Sequence, residues 1–144
     1  MKPVPLLLAA ILCTALPALA QKSNKWSPGE WPNYGNDPGG MRYANLDQVN
    51  AKNISKLKVA WVFRTGELET YAGTKAHEKA AFEATPLMVD GVLYFSTPTS
   101  RVFAVDAKTG KGLWNFDPKI DRKTDYSEIT SRGVSYWNKR IFIA

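Results

Sequence analysis

The side chains best suited to chemistry are scarce in this chain. Cys13 is the only cysteine and His77 the only histidine. Cys13 lies in the apolar N-terminal stretch, so residues 21–144 carry no thiol nucleophile, no disulfide and no cysteine metal ligand. His77 sits in the polar run "GTKAHEKAA" with no second histidine at a metal-ligand spacing. It reads as a solvated loop residue rather than a catalytic base. What remains is a patterned stretch, "AVDAKTGKGLW", residues 104–114. Gly110 permits a left-handed turn conformation. Asp106 and Thr109 can bond turn backbone groups. Ala104 leaves room for a large neighbour, and Trp114 brings a flat ring with one N–H donor. This set suits a stackable module better than a reaction centre.

The elements around that stretch are short strands. "ATPLMVDGVLYFST" reads as a hairpin, with strands at 86–89 and 92–96 around an Asp90-Gly91 turn. Residues 102–106 and 112–116 form a second hairpin through Thr109-Gly110, and "RGVSYWNKRIFIA" begins a third with Asn138-Lys139 near its turn. "KVAWVFRTG" supplies a further strand at 59–64. Helical signal is confined to one short turn within 50–57, capped by Asn50 or Asn53. The polar connections 67–81 and 117–130 are longer than hairpins need. The pattern predicts an all-β fold in which residues 85–116 form a four-stranded meander, as in a sandwich sheet or a propeller blade.

Composition narrows the function classes. The chain has 144 residues and a net charge of +6. Its basic residues are dispersed without a block of interleaved aromatics, so no nucleic-acid partner is expected. "MKPVPLLLAAILCTALPALA" has a positive residue, an apolar core and a closing Ala18-Leu19-Ala20. This predicts a signal peptide at residues 1–20 and a periplasmic destination for the secreted chain. The sequence stops at "KRIFIA", inside an apparent strand, so residues 21–144 are expected to be the N-terminal part of a longer protein.

The 104–114 stretch resembles the tryptophan-docking motif of quinoprotein dehydrogenases, whose cofactor is pyrroloquinoline quinone (PQQ). The resemblance extends to "EWPNYGNDPGGMRYANLDQVNAKNISKLKVAW", "VAWVFRTGE", "FEATPLMVDGVLYFSTP" and "SRGVSYW", covering nearly all of residues 30–144. It implies a partial eight-bladed β-propeller: the ring-closing strand at 59–64, the first blade and the start of the second. It also implies that Glu83 and Arg132 are cofactor-binding residues. An arginine fork pairs with carboxylate or carbonyl oxygens, and a carboxylate accepts from the cofactor's N–H.

The resemblance further implies a Ca²⁺ or another divalent cation acting as Lewis acid, and a carboxylate base. Both would come from later blades, so neither a catalytic residue nor a metal ligand is nominated here. The substrate would be a sugar, polyol or other alcohol. The electrons would pass to a respiratory acceptor, a quinone or cytochrome c. Residues 21–144 alone are expected to be inactive, since a partial propeller cannot enclose the cofactor. The alcohol-oxidising branch carries two adjacent cysteines where this chain has Tyr126 and Ser127, which directs the resemblance to the glucose, quinate and shikimate branch. The alternative is a non-enzymatic propeller scaffold that binds protein partners, since the docking motif itself serves blade packing.

Overall fold

The computed structural model describes residues 26–121 and 123–144. The predicted signal peptide lies outside the described residues. A 3-10 turn at Ile54–Lys56 falls within the expected helical window. Two helices then occupy the first long connection, α1 at Glu67–Thr70 and α2 at Lys75–Lys79. Eight strands follow: β1 Ala80–Thr85, β2 Leu87–Val89, β3 Val92–Ser96, β4 Val102–Asp106, β5 Gly112–Phe116, β6 Ile129–Gly133, β7 Ser135–Trp137 and β8 Arg140–Phe142.

The expected meander is present as the antiparallel sheet β2-β3-β4-β5. Its turns follow from local chemistry. Asp90 and Gly91 both adopt positive φ, the twist that lets a two-residue loop join right-handed strands. Asn138 and Lys139 do the same between β7 and β8. At the β4–β5 turn, Asp106 Oδ1 accepts from the Thr109 backbone N–H at 2.7 Å and from its hydroxyl at 2.6 Å. These bonds hold the Asp106 carboxyl below its ordinary range.

β4 is the most enclosed strand, with Val102, Phe103, Ala104 and Val105 all buried. Leu87, Val102 and Val134 form one core, closed by Tyr94, Tyr136, Ile141 and Ile143, which joins the meander to β7 and β8. Each fully buried Leu or Val contributes about 1.5–3 kcal/mol relative to an exposed one. Ala104 lies directly opposite Trp114, as its small size suggested. A second core of Tyr71, Ala76 and Ile129 packs with Ile120 and Tyr126, and it ties the first long connection to the second.

Residues 59–64, expected to close the ring against the last blade, pair with no strand among the described residues. The segment is held through side chains instead: Trp61 Nε1 donates to the Ala107 carbonyl at 3.2 Å, and Phe63 sets its edge against Phe95 and Phe103. The 67–81 connection is not a plain loop, since it holds α1, α2 and the start of β1. Each helix is a single turn, too short to produce a periodic apolar pattern.

Candidate cofactor-binding site

β1 and β6 form a two-stranded parallel ribbon that pairs Ala80 with Ile129, Ala81 with Thr130 and Phe82 with Ser131. The register then shifts. Thr85 pairs with Gly133, so Glu83 and Ala84 together span the place opposite Arg132. Gly133 makes the shift possible. Its φ is +131°, and a Cβ there would sit 3.0 Å from the Thr85 carbonyl oxygen.

Alternation along the two strands sorts the side chains. Ser131 is buried and bonds Ser96 of β3 at 2.8 Å, while Phe82, 57% exposed, keeps its ring centroid 6.4 Å from that of Phe95. Glu83 and Arg132 take the other face. The structure brings these two predicted site residues together: Arg132 Nη1 lies 3.2 Å from Glu83 Oε2. The Arg132 side chain is 79% exposed and that of Glu83 36%. An ion pair this open adds only about 0–1 kcal/mol to stability. The guanidinium carries five N–H donors, and at that exposure most of the fork is open to solvent.

The long connections flank this ribbon. Glu67 in α1 is paired with Arg101 at 3.1 Å, and both side chains are nearly buried. The Arg101 guanidinium also reaches the Thr65 carbonyl at 3.0 Å and lies over the Phe103 ring. Lys75 and Lys79 of α2 clamp Asp125 at 2.9 and 2.6 Å, and Lys79 also donates to the Tyr126 carbonyl. The two lysines hold the Asp125 carboxyl at about 2. Tyr126 packs into the small core beneath, and Ser127 is exposed. His77 is an exposed residue of α2, its backbone N–H capped by the Thr74 hydroxyl. An apolar cleft of about 520 Å³ lies behind the ribbon, lined by Trp61, Phe63, Phe82, Pro86, Leu93 and Phe95. Neither Glu83 nor Arg132 lines it.

The donor set fits a flat, multiply carboxylated quinone. An open arginine fork matches carboxylate and carbonyl oxygens bidentately, and the adjacent carboxylate accepts an N–H. Among the described residues, no group of three or more His, Cys, Asp or Glu side chains could hold a metal ion. No helix among them is long and apolar enough to cross a membrane. Sequence reasoning missed the Ser96–Ser131 contact, because only the tertiary packing of β6 against β3 brings the two together.

Known proteins share this chain's sequence pattern and fold. The family model "PQQ: Glucose/ethanol/alcohol dehydrogenase, beta-propeller domain" matches residues 31–142. The chain is 39% identical over 130 residues to the dehydrogenase subunit of a quinone alcohol dehydrogenase from Gluconobacter oxydans, covering 87% of this chain and 16% of that protein. It is 43% identical over 108 residues to a quinate/shikimate dehydrogenase (quinone) from Acinetobacter baylyi, covering 75% and 12%. Among solved structures, the quinohemoprotein alcohol dehydrogenase from Comamonas testosteroni superposes with a TM-score of 0.66 at 36% identity, covering 79% of this chain and 16% of that one. The chain therefore spans less than a fifth of the length of these relatives, and the matching part lies in their propeller. With a family model matching most of its length, this chain belongs to the PQQ-dependent dehydrogenases, and its fold is part of a quinoprotein β-propeller.

Proposed function

We propose that this chain is the N-terminal portion of a periplasmic quinoprotein oxidoreductase acting on a sugar, polyol or other alcohol hydroxyl. The observation that carries the reading is the convergence of Glu83 and Arg132 on the open face of an anchored ribbon. In this reading Arg132 binds a carboxylate or carbonyl edge of PQQ, and Glu83 accepts a hydrogen bond from its N–H. Glu83 also limits the net positive charge and aims the fork. When bound, PQQ supplies the two-electron acceptor for substrate hydride, and a divalent cation such as Ca²⁺ supplies Lewis acidity. The cation ligands and the base belong to residues outside this chain. A respiratory quinone or cytochrome c would be the electron acceptor.

Tyr126 and Ser127 favour a sugar or cyclic-polyol substrate over a simple alcohol. They stand where the alcohol-oxidising branch has adjacent cysteines, and here the segment is clamped by Lys75 and Lys79 instead. The test is dye-linked oxidation by the complete protein, reconstituted with PQQ and Ca²⁺, against glucose, quinate and ethanol. The expected result is cofactor-dependent turnover of glucose or quinate above ethanol. An absence of cofactor-dependent dye reduction with all three contradicts the enzyme reading.

A further inference from the structure

The Glu83–Arg132 pair is too exposed to fix its own geometry. The ribbon meets the meander at the end of β3, through Phe95 and Ser96, which project to opposite faces of that strand. Phe82 lies against Phe95, and Ser131 Oγ shares a 2.8 Å hydrogen bond with Ser96 Oγ. Phe82 is 57% exposed, whereas Ser96 and Ser131 are buried. The two contacts differ in what they specify. A ring contact tolerates sliding. A pair of hydroxyls at 0% and 8% residue exposure does not, because an unpaired buried hydroxyl is costly. A one-residue slip of β6 would turn Ser131 outward and Arg132 inward. The observed register makes the hydroxyl pair and presents Arg132 to Glu83 together.

We propose that Ser96 and Ser131 are positioning residues for cofactor binding: their hydrogen bond anchors β6 to β3 and so holds its register on β1, with Arg132 facing the quinone. The proposal rests on the reading of Glu83 and Arg132 as cofactor contacts. Ser131 acts through its neighbour and touches no ligand itself. Ser96 acts from the blade and fixes the height at which the ribbon lies.

The test is titration of PQQ into the complete protein, well below each variant's melting temperature, with the melting temperatures recorded alongside. Ser96→Ala and Ser131→Ala each strand one buried hydroxyl, so both lower the melting temperature. The double variant removes both hydroxyls and regains most of that loss. Its PQQ affinity stays weakened, by about tenfold. Val105→Ala, a cavity in β4 away from the ribbon, lowers the melting temperature and leaves affinity unchanged. If a single variant does not fold, the double variant carries the test. Wild-type affinity in the double variant overturns the positioning role, as does an equal loss in Val105→Ala. Arg132→Ala separates the two layers. Wild-type affinity there overturns the site reading itself, whereas weakened binding there with normal binding in the serine double variant overturns only the register lock.

Discussion

Arg132 and Arg101 show how one residue type serves two purposes. Arg101 is nearly buried, pairs with Glu67 and lies over Phe103, so its role is to pin α1 to the loop between β3 and β4. Arg132 is mostly in solvent and gains little stability from Glu83. The proposed function gives this exposed fork a ligand. Asp125 belongs with the structural group, since two lysines hold its carboxyl at about 2, below its ordinary value of 3.8. A depressed carboxylate stabilises the fold while ionised. Its contribution is therefore complete above its unfolded pKa and is lost as pH falls through the folded value. Melting temperature should drop between about pH 4 and about pH 2 more steeply in the wild type than in Asp125→Asn. Parallel profiles for the two proteins would show that the lysine clamp does not tie α2 to its neighbour.

The elements divide by how local their causes are. Asp90-Gly91, Asn138-Lys139 and the Asp106–Thr109 turn were legible because each turn is specified by residues within a few positions. The β1–β6 ribbon was not, because parallel partners such as Phe82 and Ser131 are brought together by intervening structure. Thus the sequence pointed to Glu83 and Arg132 as separate candidates through family resemblance, and only the fold pairs them. The docking stretch was legible in its turn and less so in its neighbour. Trp114 is half exposed and tilts against Tyr94. The indole that seats on the turn is that of Trp61. A Cβ at Gly110 would lie 2.5 Å from the Trp61 ring, and Gly110 has φ +74°. Gly110→Ala should cost about 1–2 kcal/mol from backbone conformation alone. It should also displace Trp61 from the Ala107 carbonyl, read as a changed near-ultraviolet dichroism signal. An unchanged signal and melting temperature would contradict the seating of Trp61 on this turn.

At the scale of the molecule, one end of the meander gathers the long connections. The two-residue turn at Asp90-Gly91 and the Asp106–Thr109 turn lie at the opposite end from the 97–101 loop, which carries the Arg101 contact to α1. Their small core holds Ile129 and Ala80, the first paired residues of the ribbon that carries the site. The connections therefore brace the ribbon from one side while Ser96 bonds it to the end of β3. The Glu83–Arg132 pair stands on the open face of this braced ribbon. The most direct test is titration of PQQ into the complete protein, wild type against Glu83→Gln and Arg132→Ala. The account predicts stoichiometric binding by the wild type and a loss of about tenfold or more in each variant. Wild-type affinity in both variants would contradict it.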